Sequence, residues 1–389
     1  MTASLRRGAC PSLSAPMETG DGLLVRLAPA SGQLSPHQLA GIAEAAQRHG
    51  SGLLEVTRRG NLQIRGLSSE STEPFADEIS TLDISVTSGV PVEIGPLGGI
   101  DAQEIADPRP LAAEIRARAT PLSALLGPKV SVTVDGGGRL HLGALLADVK
   151  LTAVHDGWQL AIGGNAATAR VLAVLDATKV VDTTMNILQQ LAERGRTARA
   201  RDLPAEHLLT SPPLCSNQPS PVGTFALKDG SSARGFALAF GQIDSTGLCE
   251  FARALNDTAA IRLAPGGGLI VTGLATEQEA TFDSLVARLG LVTRTDDPRL
   301  SIVACAGAPA CRSAWVATRS LAAELASHIK PHGLVHLSGC AKGCARPSAP
   351  AVTLTGTPNG CVLEGEAAPV LRAALIALGN RYFVQRESA

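Results

Sequence analysis

Two pairs of cysteines lie near the end of the chain, in the stretches IVACAGAPACRSAW and HLSGCAKGCARPSAP. Five residues separate Cys305 from Cys311, and three separate Cys340 from Cys344. The intervening residues are mostly glycine, alanine and proline, which let the backbone approach a bound group closely. Thiolates that converge from two such loops can bind an iron–sulfur cluster or a metal ion.

A strand and a loop are expected to position each pair. SIVAC ends a strand at Cys305, and a helix is predicted to begin at Cys311, where its dipole would favour a thiolate. HGLVHLSG predicts a second strand, which leads through a glycine turn to Cys340 and Cys344. These two cysteines would share one face if the backbone coils there.

Spacing alone leaves three interpretations of these cysteines. Structural zinc usually takes pairs that are roughly two to four residues apart. The gap between Cys305 and Cys311 is longer than a tetrahedral zinc site usually has. The pattern therefore favours a four-cysteine iron–sulfur site, while a zinc site and unliganded or disulfide-bonded cysteines stay open. The cysteines without a partner at ligand spacing are Cys10, Cys215, Cys249 and Cys361.

The composition is that of a globular protein with more than one domain. The chain has 389 residues, of which 45% are apolar and 3% aromatic, so aliphatic side chains must build the core. A formal charge of −1 argues against nucleic acid or an anionic membrane as a partner. There is no apolar run that could span a membrane and no secretory signal pattern. We therefore expect a cytoplasmic protein, in which cysteines favour metal or redox chemistry over disulfides.

The order strand, helix, strand, strand occurs twice along the chain. It runs first from about residue 21 to 67, with a helix capped at Ser35, and it returns at Gly235. Aligning Gly66 with Gly273 also aligns the apolar residues of the strands that precede them. We interpret this pattern as an internal duplication.

A longer α/β stretch follows each copy. In the first stretch, the sequence predicts one hairpin that turns at 135–138 and another that turns at Asp156 and Gly157. Helices are predicted at about 166–175 and 182–198. The second stretch contains both cysteine pairs.

The cysteine pairs, placed after a duplicated strand–helix–strand unit, resemble the sulfite and nitrite reductase superfamily. The resemblance covers about residues 21 to 381 and implies an α+β fold of two pseudo-twofold repeats. It also implies a [4Fe–4S] cluster in the second half and an anionic tetrapyrrole between the halves. The implied division is a flexible tail at 1–19, a first ferredoxin-like half-domain at 20–80, a first α/β domain at 81–205, a linker at 206–220, a second ferredoxin-like half-domain at 221–285 and a cluster-binding α/β domain at 286–389.

Within this superfamily, the chain is most similar to the precorrin-3B synthases. The resemblance implies an O2-dependent monooxygenase of aerobic cobalamin biosynthesis, which hydroxylates precorrin-3A at C20 while the ring A acetate forms a lactone. It also implies a separate non-haem iron, whose ligands the sequence does not identify. The stretches that carry the resemblance are GDGLLVRLAP at 20–29, GLLEVTRRGNLQIRGL at 52–67, VDGGGRLHL at 134–142, ACAGAPAC at 304–311 and SGCAKGCARP at 338–347.

Two rival functions stay open beside this one. The first is a nitrite or sulfite reductase that binds siroheme, in which Cys344 would match the cysteine that bridges the cluster to the haem iron. The second is a zinc-stabilised binding protein without a redox role. In the monooxygenase, NADH would act through a separate electron donor, because the chain has no GxGxxG that opens a helix after a strand.

Two catalytic cations can be carried over from the reductases. The stretch TRRGNLQIR matches one that holds an arginine over the tetrapyrrole, which implies that role for Arg59. Lys129 matches the first lysine of a Lys-x-Lys strand, whereas Ser131 stands at the second. SGVPVEIGPLGG at 88–99 has no basic residue where the reductases have an Arg-Asn stretch. A site that has lost two of four cations suits neutral O2 better than a small anion.

A uroporphyrinoid has carboxylates around its rim, so its groove needs cations and hydrogen-bond donors. Each basic candidate could also be a solvated surface charge, and Asn61 and Gln63 could satisfy the turn backbone instead. His332 and His336 lie four apart near the cluster loop, but the predicted strand between them argues against shared ligation. The candidate substrate-binding residues are Arg26, Asn61, Gln63, Arg65, Lys342 and Arg346.

Overall fold

The structure is a computed structural model that describes residues 11–204, 214–215, 217–329, 332–347 and 349–384. Most of the predicted tail, a large part of the predicted linker and Cys10 lie outside these residues. Across the described ranges, no helix is both long and apolar enough to cross a membrane.

The first ferredoxin-like unit pairs its strands in an antiparallel sheet. Ser35 and Gln38 form the capping box of its first helix, as the N-cap pattern predicts. Met17–Thr19 form a hairpin with the next strand, so the prediction that 1–19 is a flexible tail is wrong for these residues. The elements are β1 (Met17–Thr19), β2 (Gly22–Leu27), α1 (Pro36–His49), β3 (Leu53–Val56), β4 (Leu62–Leu67) and α2 (Thr72–Ser80).

The first α/β unit combines parallel and antiparallel pairing in one sheet. Its elements are β5 (Val92–Ile94), α3 (Arg109–Ala119), β6 (Val132–Asp135), β7 (Ala147–Val154), β8 (Gly157–Gly164), β9 (Arg170–Leu175) and α4 (Ala177–Arg194). Strands β5, β6 and β7 are parallel neighbours, and β7, β8 and β9 are antiparallel. The hairpin at Asp156 and Gly157 is therefore confirmed.

Two predictions in this unit are wrong. The glycines at 136–138 do not turn a hairpin, because β6 pairs in parallel with both β5 and β7 and the following residues form a loop. The helix predicted at 166–175 is instead strand β9, whose backbone pairs with β8. The next helix begins after Asp176, whose side chain accepts a hydrogen bond from the Lys179 backbone N–H.

The second half repeats both units. Its ferredoxin-like elements are β10 (Gly223–Ala226), β11 (Ser232–Ala237), β12 (Gln242–Asp244), α5 (Ser245–Arg253), β13 (Ala260–Ala264), β14 (Gly268–Thr272) and α6 (Thr276–Arg288). Its α/β elements are β15 (Ile302–Ala304), α7 (Thr318–His328), β16 (Leu334–Ser338), β17 (Ala351–Thr357), β18 (Gly360–Glu364) and α8 (Pro369–Arg381). Strands β15, β16 and β17 are parallel and β18 is antiparallel, which is the pattern of the first α/β unit.

Each ferredoxin-like unit pairs with the edge of the other unit's sheet. Strand β12 pairs with β3 through Ile243 and Leu54, and Leu34 makes a reciprocal bridge to Ile261 on β13. Apolar residues of both units share one core, in which α1 packs against α5. Gly66 and Gly273 both have positive φ, at 71° and 74°. The internal duplication and the α+β fold with ferredoxin-like halves are therefore confirmed.

Candidate functional site

The two cysteine loops follow neighbouring parallel strands and lie side by side. Cys305 follows β15 and Cys340 follows β16, so both loops leave the same edge of the sheet. The Gly339 N–H donates to the Cys305 Sγ at 3.2 Å, and the Trp315 N–H donates to the Gly339 carbonyl at 2.6 Å. These bonds hold the loop of the first cysteine pair against the loop of the second.

Small residues and one lysine strengthen this contact. A Cβ at Gly339 would lie 2.6 Å from the Ala314 Cβ, so this position has no room for a side chain. Lys342 Nζ on the second loop donates to Ser313 Oγ on the first at 2.8 Å. The two loops therefore form a single unit.

The helix predicted to begin at Cys311 begins instead at Thr318. Cys311 lies in a turn, where its N–H donates to the Gly307 carbonyl at 2.8 Å, so a helix dipole does not act on its thiol. Thr318 is buried and donates from Oγ1 to the Cys305 carbonyl at 2.8 Å. The start of α7 therefore anchors the cysteine loop without containing a cysteine.

The four cysteines are the candidate donor set for an iron–sulfur cluster. Within the described part of the chain, no three His, Cys, Asp or Glu side chains are arranged to hold one ion. A cubane binds its cysteines at separate corners, so the four sulfurs can lie further apart than zinc allows. Cys305, Cys311 and Cys340 are half-buried and Cys344 is exposed, and Cys305 already accepts a backbone N–H as cluster ligands do. That these four residues hold a cluster stays a prediction.

In the first half, carboxylates lie in and beside the loops that correspond to the cysteine loops. Asp101 and Glu104 lie in the loop after β5, and Asp135 ends β6. Asp101 accepts the Arg139 N–H and Asp135 accepts the Leu142 N–H, both at 2.6 Å. Asp135 thus binds the loop that follows it, and Asp101 binds that same loop from the loop after β5, so these carboxylates hold the two loops of the first half together.

Arg65 holds the first cysteine loop from the ferredoxin-like side. It is 4% exposed, and it donates to both Asp21 carboxylate oxygens, at 3.0 and 2.8 Å, and to the Ala310 carbonyl at 2.8 Å. Its pKa is raised despite burial, because Asp21, Glu55 and Cys311 favour the charged form. The expectation that Arg65 binds a substrate carboxylate does not agree with a guanidinium that is buried and already paired.

Glu55 is a second residue of this interior, which the sequence reasoning missed. It is 6% exposed and accepts hydrogen bonds from Arg319 at 2.6 Å and from Gln63 at 3.0 Å. Gln63 in turn accepts from Arg26 at 2.7 Å. A charged residue in the apolar strand LLEV was the available signal, because an inward-facing carboxylate requires a buried partner.

The β3–β4 turn reaches both α/β units through consecutive arginines. Arg58 donates to the carbonyls of Ala345 and Arg346, at 3.1 and 2.5 Å, and so holds the second cysteine loop. Arg59 forms a bidentate pair with Glu93, in which Nε lies 2.7 Å from Oε1. The predicted catalytic arginine therefore has a carboxylate partner that the sequence reasoning did not identify.

Arg59 also contacts Ser131, the residue at the second position of the Lys-x-Lys match. Its guanidinium lies 3.3 Å from Ser131 Oγ and donates to the Leu146 carbonyl at 2.9 Å. Lys129 is half-buried two residues before Ser131. The structure therefore places the segment that contains both residues next to Arg59.

The other predicted substrate ligands lie on two segments. The Asn61 backbone exchanges hydrogen bonds with Thr57 across the β3–β4 turn, at 2.8 Å to the backbone and 3.0 Å to Oγ1. Lys342 and Arg346 are exposed on the second cysteine loop. His332 is exposed but His336 is buried on β16, so the structure does not bring this pair together as ligands.

Lys150 is a buried lysine on β7 with a strongly lowered pKa. Its ammonium donates to Thr133 Oγ1 and to the carbonyls of Leu142 and Leu145, at 3.1 to 3.2 Å. Burial is the main cause that lowers its pKa from 10.5 to about 8. The folded chain releases this proton near pH 8, whereas the unfolded chain keeps it up to about pH 10.5. The unfolded state therefore binds more protons between these pH values, so the free energy of unfolding should rise there, by on the order of 3 kcal/mol.

The variant Lys150→Met should lack this rise, which denaturant unfolding at several pH values would measure. Lys179→Met is the matched control, because Lys179 is an exposed lysine on α4 and should keep the wild-type pH dependence. The same rise in Lys150→Met as in the wild type would contradict the assignment to Lys150.

Several known proteins and one family model are similar to this chain. The nitrite/sulfite reductase ferredoxin-like half domain matches residues 15–81. A ferredoxin–nitrite reductase of Synechococcus elongatus is 24% identical, with 88% of this chain and 78% of that protein covered. The solved structure of the Mycobacterium tuberculosis NirA protein matches with a TM-score of 0.68 at 19% identity, over 88% of this chain and 73% of that one. This structural match supports the fold.

A relative with higher sequence identity identifies the family of this chain. A precorrin-3B synthase of a Sinorhizobium species is 42% identical over 380 residues, which cover 92% of this chain and 82% of that protein. The aligned region therefore includes both halves of the duplication. On this similarity, the chain belongs to the precorrin-3B synthase family.

Proposed function

We propose that the chain is a precorrin-3B synthase that uses O2 to hydroxylate precorrin-3A at C20, while the ring A acetate closes a lactone. The similarity at 42% identity over nearly the whole chain carries this proposal. One oxygen atom would enter the product, and the other would leave as water after taking up two electrons and two protons. A separate NADH-linked protein would supply the electrons, and a reducing cytoplasm would keep the thiols available.

The site has parts suited to this reaction. A [4Fe–4S] cluster, when bound by Cys305, Cys311, Cys340 and Cys344, supplies single electrons. Lys342 and Arg346 lie exposed beside the cysteines and can bind carboxylates at the rim of the macrocycle. Lys129 and Arg59 would provide further cations for carboxylates of the substrate.

The charge around Arg59 distinguishes this proposal from anion reduction. Glu93 neutralises the guanidinium, and Ser131 provides a hydroxyl where a second lysine is expected in a reductase. A site with this charge balance gives little stabilisation to sulfite or nitrite but does not hinder neutral O2. The similarity to nitrite reductases keeps a siroheme enzyme as the second candidate, which extractable siroheme would identify.

Labelled oxygen tests the proposal directly. Incubation of the reduced protein with precorrin-3A and ¹⁸O2 should place one labelled atom in the product, as mass spectrometry would show. A parallel incubation in H2¹⁸O with unlabelled O2 should leave the C20 hydroxyl unlabelled. Product that forms without label from ¹⁸O2 would contradict a monooxygenase.

Regarding a mononuclear iron, the described side chains do not fit such a site. Within the described ranges, no group of three His, Cys, Asp or Glu residues could hold an ion. His336, the histidine nearest the cysteine loops in sequence, is buried, with Nδ1 lying 3.3 Å from Thr353 Oγ1. No step of the proposed reaction is therefore assigned to a protein-bound mononuclear iron.

A further inference from the structure

A charge network around the buried residues Glu55 and Arg65 joins the first ferredoxin-like unit to the first cysteine loop. Arg65 pairs with Asp21, and its guanidinium also donates to the carbonyl of Ala310, the residue before Cys311. Gly20 packs directly against the backbone of Arg312, so the β1–β2 turn leaves no gap at this contact. The Arg65 charge is thus fixed next to a candidate cluster ligand.

Glu55 lies at the centre of the network. Its Oε1 accepts from Arg319 at 2.6 Å, and its Oε2 lies 3.5 Å from Arg65 NH1. Arg319 is the second residue of α7 and also donates to the Phe240 carbonyl at 3.0 Å. The Glu55 carboxylate on β3 therefore connects Arg65, which contacts the first cysteine loop, with Arg319 on α7, the helix that follows this loop.

The network has an excess of positive charge. Three guanidinium groups, of Arg26, Arg65 and Arg319, are connected with two carboxylates, of Asp21 and Glu55. In the described structure, the Nε atoms of Arg26 and Arg319 are buried without a hydrogen-bond partner. A buried cluster of donors with net positive charge suits an anionic group nearby.

A cluster with four thiolate ligands is such a group. It is anionic when oxidised and gains a further negative charge when reduced, so nearby positive charge favours the reduced form. Burial makes this effect larger than that of a solvated charge, because solvent and salt screen the network poorly. Hydrogen bonds and charges around the ligands are among the factors that set cluster potentials.

We propose that Glu55, Arg65 and Arg319 are positioning residues that hold the first cysteine loop and set the reduction potential of the cluster. The inference rests on the proposed [4Fe–4S] site. In this arrangement the two arginines favour the reduced cluster and Glu55 opposes them. The ferredoxin-like unit would then influence electron transfer without contributing a ligand.

Two charge variants should shift the midpoint potential in opposite directions. Glu55→Gln removes a negative charge and should make the cluster easier to reduce, whereas Arg65→Met removes a positive charge and should make it harder. Arg65→Lys keeps the charge and should return the potential towards the wild-type value. An anaerobic redox titration of each full-length protein, monitored by electron paramagnetic resonance, measures these shifts.

Arg312→Met is the matched control. Arg312 follows Cys311 directly, but its side chain is 74% exposed, so removal of its charge should shift the potential less than Arg65→Met does. This comparison separates buried from solvated charge at the same loop.

Opposite shifts in Glu55→Gln and Arg65→Met would support the proposal. Unchanged potentials, or shifts in the same direction, would overturn it, because a purely structural disturbance has no reason to follow the sign of the charge. If Arg65→Met does not fold, Glu55→Gln decides alone: an easier reduction supports the role and an unchanged potential removes it. A wild-type protein without iron and sulfide would contradict the proposed cofactor itself, which is a separate outcome.

Discussion

Cys344→Ser should lose the iron–sulfur cluster and with it the oxygenation activity, by about two orders of magnitude or more in turnover. A serine hydroxyl stays protonated at neutral pH and is a poor ligand for iron, whereas a cysteine thiolate is a good one. Iron and acid-labile sulfide should be measured per chain after anaerobic purification. The wild type should contain both, without extractable siroheme, and the variant should have lost them.

Cys361→Ala is the matched control for this experiment. Cys361 lies on β18 of the same unit, where burial raises the pKa of its thiol. Its Sγ packs close to Gly379 on α8, so the substitution should cost some stability but leave iron and sulfide in place. A full cluster in Cys344→Ser would show that Cys344 is not a ligand. Siroheme at one per chain would favour the reductase over the monooxygenase.

Arg59→Ala should weaken macrocycle binding by roughly 10- to 100-fold while the cluster remains, if this arginine contacts a substrate carboxylate. The structure adds a complication, because Arg59 forms a bidentate pair with Glu93. Its removal would leave a carboxylate that is only 18% exposed without its main partner. The effect of Arg59 on substrate must therefore be separated from its effect on Glu93.

A double-mutant cycle makes this separation. Glu93→Gln alone should retain or strengthen binding, because it releases the guanidinium from its internal carboxylate. Arg59→Ala with Glu93→Gln should bind as weakly as Arg59→Ala does. Spectral titration with uroporphyrin III, a carboxylated tetrapyrrole, measures binding, and iron and sulfide contents check the cluster. Recovery of binding in the double variant would show that Arg59 acts only by neutralising Glu93.

Local patterns predicted much of the fold correctly. The N-cap at Ser35 and the hairpin at Asp156 and Gly157 depend on neighbouring residues, so short stretches contain enough information to identify them. The duplication was visible because Gly66 and Gly273 occupy equivalent left-handed positions at the ends of equivalent strands.

The errors arose where distant pairing overrides local preference. Strand β9 has residues that also suit a helix, but the edge of β8 provides a partner for its backbone. The glycines at 136–138 resemble a hairpin turn, yet β6 takes parallel neighbours that are far away in sequence. The start of α7 at Thr318 was missed because a loop held by contacts with the second cysteine loop precedes it.

The sequence alone was sufficient to find the candidate ligands, because residue type and spacing describe a donor set whatever its surroundings are. It could not show that Glu55 would meet Arg319, or that Arg59 would meet Glu93, because residues that are distant along the chain become partners only when the sheets and helices pack. Charges that are buried together determine one another's environment, and that environment depends on the folded chain. The sequence alone therefore identifies the candidate thiol ligands, whereas the fold determines which charged residues surround them.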